Sequence, residues 1–318
     1  MITGKVKWYN DCKGYGFITS DLGGPSILAK REAILNSPLG GLIENQRVMF
    51  AYTITPDGPE ATGVLINPNQ DVSISGIIGY GIVGKATQKG LIKDRTTRIH
   101  DTTLETHLED LTECDHIFFC IPTDNDDSII KLIALIKEVK LINPSCKIIL
   151  RSTVPVGTCK KIEEIINDQI IYIPEFLRER CWETDCTNRP LVVGSNGAEL
   201  PKWLADEDII QCSLEEAEVI KMLSNNMATA RVVFANHFYE LSKLIGADYN
   251  KVLDSYLKVN HDQNYLEVNE NMRAFGGKCL PKDLDFLINT FKQLELPQTY
   301  FTSIKTDNQQ WPVTVRKS

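Results

Sequence analysis

One glycine-rich turn constrains the fold of this chain more than any other feature. An apolar run, ISGII, leads into a Gly-x-Gly-x-x-Gly pattern at Gly79, Gly81 and Gly84, and a helix-compatible stretch follows it. This order predicts a strand, a tight turn and a helix. The glycines let the backbone approach a pyrophosphate at the helix N-terminus. The stretch therefore predicts a dinucleotide-binding βα unit.

A second predicted strand identifies the dinucleotide. RTTRIHD ends in Asp101, 22 residues after Gly79. A carboxylate at this place accepts hydrogen bonds from a ribose 2′-hydroxyl and repels a 2′-phosphate, so NAD is favoured over NADP as the cofactor. The alternative is a glycine-rich turn in an α/β domain that binds no ligand.

Four further apolar runs recur at the spacing of alternating strands and helices. They are HIFFCIP at 116–122, KIILRSTVP at 147–155, IIYIPEF at 170–176 and PLVVGS at 190–195. We expect a doubly wound parallel sheet over residues 72–205, with ligands beyond the carboxyl ends of its strands. The site candidates at those ends are Pro122, Thr123, Ser152, Thr153 and Glu175.

Residues 1–68 alternate apolar and polar positions in short runs, which predicts a small all-β domain of about five strands. KGYGFI at 13–18 and GPEATGV at 58–64 resemble the cold-shock domain, an OB-fold barrel that stacks single-stranded nucleic-acid bases on aromatic side chains. The resemblance implies a binding face made of Lys7, Trp8, Tyr15, Phe17 and Lys30. Leu28 stands where the family has an aromatic residue, so we expect weaker binding of single-stranded RNA or DNA than in a typical member. The alternative is a barrel that packs against the rest of the chain.

Composition excludes several other classes of protein. The net charge of −8 is unfavourable for binding polyanions over the chain as a whole. The longest apolar runs fall short of the ~20 residues that a membrane span needs, and the N-terminus has no signal-peptide pattern. The nine cysteines form no CxxC pair, so we expect no metal site. Scattered thiols without a disulfide framework predict a cytoplasmic protein.

A long helix is predicted from SLEEAEVIKMLSNN onward. Ser213 and Glu216 form a capping box, apolar residues recur at helical spacing, and Gly246 marks the end. The predicted helix covers 214–245. Lys221 and Asn225 are four residues apart and share one face, where they are either ordinary solvated side chains or parts of a site.

Six ordered motifs resemble the nucleotide-sugar 6-dehydrogenase family, which includes the UDP-glucose and GDP-mannose dehydrogenases. They are GIIGYGIVG, IFFCIPT, RSTVPVGT, IPEFLRE followed by Asp185 and Arg189, EAEVIKMLSNN, and FGGKCLPKD. The resemblance implies that a sugar primary alcohol is oxidised to a carboxylate with two NAD⁺, and that the long helix forms a homodimer. The expected domains are a cold-shock-like barrel at 1–68, an NAD-binding Rossmann domain at 72–205, a helical domain at 206–300 and a tail at 301–318.

The resemblance also implies a role for each site residue. Cys279 attacks the enzyme-held aldehyde, Lys221 and Asn225 stabilise the oxyanion, Asp283 handles the proton, Glu175 assists thioester hydrolysis, and Thr153 helps to hold the water. The implied cofactor-binding residues are Gly79, Tyr80, Gly81, Ile82, Val83, Gly84, Asp101, Pro122, Thr123 and Ser152. The implied substrate-binding residues are Phe176, Leu177, Glu179, Phe275, Gly276 and Gly277.

The thiol of Cys279 needs activation to serve as a nucleophile. A cation or a helix N-terminus nearby lowers the pKa of a cysteine and makes it reactive. Cys279 lies just before Pro281, a residue favoured in the first turn of a helix. We therefore expect a lowered pKa at Cys279, and an ordinary structural or incidental role for the other eight cysteines.

The chain departs from the family pattern in two places, and these leave the function open. Only KTDNQQWPVTVRKS follows the last helical stretch, where family members usually continue into a third, Rossmann-like domain. VNHDQNYLEVNENMRAF replaces a segment that often contains Arg-Ile-Gly. The hypotheses are a nucleotide-sugar dehydrogenase, or a single-stranded nucleic-acid-binding protein with a regulatory or weakly active dehydrogenase module. A hydroxy-acid or 6-phosphogluconate-type dehydrogenase is a third, which FGGKCLPKD argues against because those enzymes need no cysteine nucleophile.

Overall fold

A β-barrel, an α/β sheet and a group of helices follow one another along the chain. The computed structural model describes residues 1–35, 41–66, 73–93, 95–178, 181–186, 190–260 and 265–313. The predicted fold class is confirmed. Within these ranges, no helix is both long enough and apolar enough to cross a lipid bilayer. The predicted linker at 67–71 lies outside the described residues.

Five strands close the barrel at the start of the chain. They are β1 (Ile2–Asn10), β2 (Tyr15–Ser20), β3 (Ile27–Lys30), β4 (Arg47–Thr55) and β5 (Gly58–Ile66). Their order around the barrel is β1-β2-β3-β5-β4. Because successive side chains of a strand point to opposite faces, alternate apolar residues such as Val6, Ile18 and Phe50 form the core.

Seven strands form the central sheet. They are β6 (Ser75–Ile78), β7 (Thr97–His100), β8 (His116–Phe119), β9 (Lys147–Leu150), β10 (Ile170–Tyr172), β11 (Leu191–Gly194) and β12 (Ile209–Cys212). The order is β12-β11-β10-β9-β8-β6-β7. The long helix α2 (Asp126–Ile142) and the shorter α3 (Thr158–Ile166) connect neighbouring parallel strands. The five inner strands, β6 and β8–β11, are buried on both faces, as in parallel sheets, whereas the edge strands β7 and β12 are partly exposed.

The sheet differs from the prediction in one respect: it is mixed rather than wholly parallel. β10 and β11 pair antiparallel, with Tyr172 opposite Gly194. The described part of their connection contains only the four-residue helix α4 (Trp182–Asp185), whereas parallel neighbours need a full crossover, usually a longer helix. β12 pairs parallel with β11, so the sheet extends past residue 205 to Cys212.

A 31-residue helix, α5 (Leu214–Leu244), joins the sheet to the helical region. The predicted caps are confirmed. Glu216 N–H donates to the Ser213 hydroxyl at 3.2 Å, and Ser213 N–H donates to the Glu216 carboxylate at 2.8 Å. Gly246 has the left-handed φ of 75° that a residue ending a helix often needs.

The two halves of α5 pack against different partners. Its first turn enters the core of the sheet through Leu214 and Ala217. Its later turns pack against α6 (Tyr249–Val259), α7 (Cys279–Gln293) and α8 (Thr299–Asn308). α8 covers part of the stretch that the sequence analysis treated as a tail, and its Ile304 is buried. The helix thus places Lys221 and Asn225 between the strand ends of the sheet and the start of α7.

Candidate active site

Lys221 is held at the carboxyl end of the sheet by Glu175. Its side chain is only 3% exposed. The Lys221 ammonium donates to the Glu175 carbonyl oxygen, lies 3.7 Å from the Glu175 carboxylate and 3.4 Å from Asn225 Oδ1. A buried ammonium is retained only when such partners compensate for its lost hydration. The predicted pair of Lys221 and Asn225 therefore belongs to a buried polar cluster, not to a solvated helix face.

Asp283 continues this cluster from α7. Asn225 Nδ2 donates to Asp283 Oδ2, and Asn226 Nδ2 donates to the Asp283 carbonyl oxygen at 3.3 Å. The Asp283 side chain is 1% exposed. Its Oδ1 accepts no hydrogen bond from the described residues and lies 3.4 Å from the Lys282 ammonium. A buried acceptor without a hydrogen bond is costly, which is typical of a group that is completed by a ligand or water.

Cys279 is the first residue of α7 and is exposed to solvent. The protein packed around the thiol still desolvates it, and this raises its pKa above the ordinary value. The carboxylates of Glu175 and Asp283 raise the pKa further, against the opposing charges of Lys282 and Lys221. The predicted lowering of the pKa is therefore wrong. The reason is that two carboxylates face the thiol together with the two cations, so burial decides the direction.

Thr123, Ser152 and Thr153 follow two neighbouring strands, β8 and β9. The Thr123 hydroxyl donates to the Thr153 carbonyl oxygen at 2.6 Å, and the Ser152 hydroxyl donates to the Ile121 carbonyl oxygen at 2.7 Å. All three side chains are buried, whereas Pro122 is exposed. These bonds tie the two strand ends together on the side of the sheet that faces Lys282, whose ammonium lies 3.4 Å from the Thr123 hydroxyl.

The glycine-rich turn has the shape that a dinucleotide needs. Gly79 has a φ of 90°, and a Cβ at Gly84 would lie 2.1 Å from the Gly79 carbonyl oxygen. A Cβ at Gly81 would meet no described atom within 4 Å, so this side of the turn is open. The turn leads into α1 (Ile82–Ala86), which continues as a π-helical turn at 87–91. Side chains beside the turn pack against the sheet core, among them Tyr80 and Val83, whereas Ile82 is exposed.

Asp101 lies beside this turn. Its carboxylate accepts from the Thr103 hydroxyl at 2.7 Å, from Thr103 N–H at 2.8 Å and from Tyr80 N–H at 2.6 Å. The Thr103 and Tyr80 hydrogen bonds hold the pKa of Asp101 below its usual range. An ionised carboxylate next to the glycines is the acceptor that a ribose hydroxyl requires, so the residues present fit NAD.

The predicted substrate residues lie in different surroundings. Phe176 lies under the Lys221 ammonium at 5.0 Å, and Leu177 N–H donates to Glu175 Oε2 at 2.6 Å, so both adjoin the polar cluster. Gly277 has a φ of 78° and open space around it, but a Cβ at Gly276 would lie 2.3 Å from Val313 Cγ1. The side chain of Phe275 is buried in the helical core. Glu179 lies outside the described residues, as does Arg189 of the family motif.

The predicted nucleic-acid face is assembled by the pairing of β1 with β2. Trp8 stands opposite Phe17, and the ring centroids of Trp8 lie 5.4 Å from Phe17 and 5.6 Å from Tyr15. Lys7 is exposed. Lys30, in contrast, forms an ion pair of 2.8 Å with Glu60, so part of its charge is already compensated.

Two residues of the site were missed in the sequence, although helical spacing could have found both. Lys282 lies three residues after Cys279 on α7, and Glu218 lies three residues before Lys221 on α5. The fully buried Glu218 carboxylate accepts from Gly157 N–H at 2.6 Å and from Cys159 N–H at 2.8 Å. It thereby ties the helix of Lys221 to the start of α3, which follows Thr153 closely in the chain.

Family models match nearly the whole described chain. The NAD binding domain of the UDP-glucose/GDP-mannose dehydrogenase family matches residues 82–205, and the central domain of the same family matches residues 215–310. The 'cold-shock' DNA-binding domain matches residues 2–66.

Sequence relatives agree with these matches. A UDP-glucose 6-dehydrogenase of Streptococcus pneumoniae is 27% identical over 274 residues, which cover 77% of this chain and 68% of that protein. One of Campylobacter jejuni is 28% identical over 214 residues, 61% of this chain and 53% of that protein. The chain thus spans between about half and two thirds of these relatives. Cold shock-like protein CspA of Bordetella pertussis is 47% identical over 66 residues, 21% of this chain and 98% of that protein.

Solved structures share the fold of the dehydrogenase part. A UDP-glucose dehydrogenase from Pyrobaculum islandicum superposes with a TM-score of 0.68 at 20% identity, over 77% of this chain and 70% of that chain. A UDP-D-ManNAc dehydrogenase from Pyrococcus horikoshii superposes with a TM-score of 0.61 at 16% identity, over 74% of this chain and 68% of that chain. NAD is the cofactor of the matched domain. The chain therefore belongs to the UDP-glucose/GDP-mannose dehydrogenase family, whose NAD-binding and central domains it carries behind a cold-shock domain.

Proposed function

We propose that the chain oxidises the primary alcohol of a nucleotide sugar, such as UDP-glucose, to a carboxylate. One observation carries this proposal: the buried polar cluster from Glu175 through Lys221 and Asn225 to Asp283, beside the exposed thiol of Cys279. The chemistry that NAD⁺ supplies when bound is hydride acceptance, once in each of two oxidations. The glycine turn at 79–84 and Asp101 would hold it.

The first oxidation converts the alcohol to an aldehyde and releases the hydroxyl proton. Asp283 is the acceptor for that proton, directly or through an ordered water, because its Oδ1 accepts no hydrogen bond from the described residues. Lys221 donates two of its three N–H groups to Glu175 and Asn225. Its positive charge stabilises the substrate oxygen, on which negative charge develops.

Cys279 then binds the aldehyde covalently. A sulfur–carbon bond forms, the carbonyl oxygen becomes an alkoxide facing Lys221, and the thiol proton passes to Glu175. This proton transfer is needed because the raised pKa keeps the thiol protonated at neutral pH. Glu175 is the charged group that acts most strongly on the thiol, which supports its role as the base. The second oxidation turns the resulting thiohemiacetal into a thioester.

Hydrolysis completes the turnover. Glu175 first releases the thiol proton to solvent, and a water held near Thr153 then attacks the thioester carbon while Glu175 takes one proton of that water. The sulfur–carbon bond breaks, Glu175 passes its proton to the sulfur of Cys279, and the product leaves as a carboxylate after its remaining acid proton passes to solvent. Each carboxylate thus has a separate task, with Asp283 serving the alcohol and Glu175 serving the sulfur and the water.

The test is NADH absorbance with NAD⁺ and a panel of nucleotide sugars. We expect NADH from at least one sugar, and we expect Cys279→Ser to prevent thioester formation, measured by mass spectrometry of denatured enzyme after a single turnover. Cys12→Ser is the matched control, because Cys12 is an exposed cysteine on the barrel. Absence of NADH with every sugar at high enzyme concentration contradicts the proposal.

A second function, binding of single-stranded RNA or DNA, is supported by the aromatic cluster of the barrel. The ring centroids of Tyr15 and Phe17 lie 5.6 Å and 5.4 Å from the centroid of Trp8. Each base stacked on such a ring contributes roughly 1–3 kcal/mol to binding. We expect Tyr15→Ala with Phe17→Ala to weaken binding of a labelled oligonucleotide at least ~10-fold. Tyr52→Ala, on an exposed tyrosine of β4, is the control. Equal affinities of all variants contradict a stacking mechanism.

A homodimer through α5 is supported by an apolar stripe on its outer face. Six large side chains recur at intervals of three, four or seven residues and are each 45–61% exposed: Val219, Leu223, Met227, Phe234, Phe238 and Leu241. A stripe of this kind on a 31-residue helix matches the same stripe of a second copy around a two-fold axis. Contiguous exposed apolar patches of this kind mark interaction sites, and pairing two copies would remove the stripe from water.

A further inference from the structure

Lys282 is a nearly buried cation that no part of the proposed reaction uses. Its side chain is 12% exposed and lies in the first turn of α7. The ammonium is 3.4 Å from Asp283 Oδ1, 3.4 Å from the Thr123 hydroxyl and 5.4 Å from the centroid of the Phe286 ring. It therefore reaches from the helix of Cys279 to the end of β8, and three contacts fix its position.

The position of Lys282 places its charge on the same side of α7 as the thiol. Cys279 and Lys282 are three residues apart, and residues at this spacing are neighbours on a helix surface. The charged groups around the thiol are Glu175, Lys221, Lys282 and Asp283. Lys221 is engaged by Glu175 through both the carbonyl oxygen and the carboxylate. Lys221 reaches the thiol from another helix, α5, whereas Lys282 shares the first turn of α7 with the sulfur.

We propose that Lys282 is the counter-charge of the Cys279 thiolate. When the thiol loses its proton, the ammonium on the same helical turn stabilises the negative sulfur, and Thr123 and Asp283 keep the ammonium in place. The inference builds on the proposed function, in which Cys279 is the nucleophile. It assigns to Lys282 the electrostatic help that the raised pKa of the thiol makes necessary.

Removing the charge of Lys282 leaves the carboxylates of Glu175 and Asp283 around the thiol, with Lys221, which is paired with Glu175, as the remaining cation. An opposite charge within ~4–6 Å shifts a pKa by about one unit or more. We therefore expect Lys282→Met to move the midpoint of thiol ionisation up by about one pH unit. At a fixed pH below that midpoint, reactions of the thiolate become about tenfold slower.

The experiment measures alkylation of Cys279 by iodoacetamide as a function of pH. The thiolate displaces iodide, a sulfur–carbon bond forms, and the proton goes to the buffer. Mass spectrometry of the peptide that contains Cys279 gives its rate, and the exposed Cys12 on the barrel serves as an internal reference. Alkylation needs neither NAD⁺ nor a sugar, so the result does not depend on dehydrogenase activity.

Three variants make the test specific. Lys282→Met removes the charge, and Lys282→Arg keeps it at the same position. Lys278→Met removes the same charge from an exposed residue that adjoins Cys279 in the chain. Water screens an exposed charge, so we expect Lys278→Met to shift the midpoint by less than about 0.3 unit. A thermal melt of each variant establishes that it is folded.

The expected result is a rise of about one unit in Lys282→Met, a small shift in Lys278→Met and a midpoint near the wild-type value in Lys282→Arg. The proposal is overturned by an unchanged midpoint in folded Lys282→Met, or by equal shifts in the two methionine variants. If the midpoint shifts as expected but no sugar yields NADH, the counter-charge stands and the proposed function fails.

Discussion

Replacing Glu218 by glutamine removes the carboxylate that connects α5 to the start of α3. The Glu218 carboxylate is fully buried and accepts two backbone N–H groups, from Gly157 at 2.6 Å and Cys159 at 2.8 Å. The first N–H groups of a helix have no partner within the helix, so Glu218 supplies one from another element. Glutamine keeps one carbonyl acceptor, but its NH₂ group faces the second N–H.

The expected loss follows from these two bonds. A hydrogen bond to a charged group contributes about 1.5–3 kcal/mol net, and Glu218→Gln loses one bond and weakens the other. We expect the local free energy of opening at the start of α3 to fall by about 2–3 kcal/mol. Each 1.4 kcal/mol changes the equilibrium constant of local opening tenfold. The Gly157 and Cys159 amides should therefore exchange with deuterium roughly 30- to 150-fold faster.

Native-state hydrogen exchange, resolved at single amides by NMR, measures this directly. Glu138→Gln is the matched control, because Glu138 is an exposed glutamate on α2. Amides of the β-barrel should exchange at the wild-type rate in both variants. Unchanged exchange at Gly157 and Cys159 in Glu218→Gln, or equal acceleration by Glu138→Gln, refutes the idea that this carboxylate anchors α3.

Three further predictions concern other parts of the chain. Gly84→Ala should abolish NAD⁺ binding in a calorimetric titration, because its Cβ would lie 2.1 Å from the Gly79 carbonyl oxygen; affinity equal to wild type contradicts this. Asp101 has a lowered pKa, so its stabilising contribution is present above its ordinary value of 3.8 and is lost as the pH falls below it. The melting temperature of Asp101→Asn should therefore fall less steeply on acidification than that of wild type, and parallel curves contradict the assignment. Phe234→Glu should convert a dimer to a monomer in light scattering, whereas Lys251→Glu on exposed α6 should not.

Local patterns in the sequence were sufficient for most of the secondary structure. The capping box at Ser213 and the glycine at 246 define α5 because both act on backbone groups within a few residues. The alternation in residues 1–68 predicts the barrel because a strand places every second side chain inside. The glycine pattern at 79–84 works in the same way, since the turn needs a positive φ and close backbone approach.

Contacts between residues that are far apart in the chain could not be predicted from such local patterns. The antiparallel pairing of β10 with β11 depends on how the chain returns to the sheet, which no local signal encodes. The ion pair of Lys30 with Glu60 joins two strands of the barrel, and it removes from the predicted nucleic-acid face a charge that appeared available. The contact of Val313 with Gly276 likewise comes from a segment about 40 residues later.

The sequence by itself determined the elements of this protein, the place of its glycine turn and the identity of Cys279 as the candidate nucleophile. Only the tertiary structure decided in which direction the pKa of that thiol is shifted. A pKa depends on burial and on every charge nearby, and the groups around Cys279 come from three elements that are far apart in the chain. Glu175 follows β10 and Lys221 lies on α5, so only the tertiary fold brings their opposing charges to the sulfur on α7.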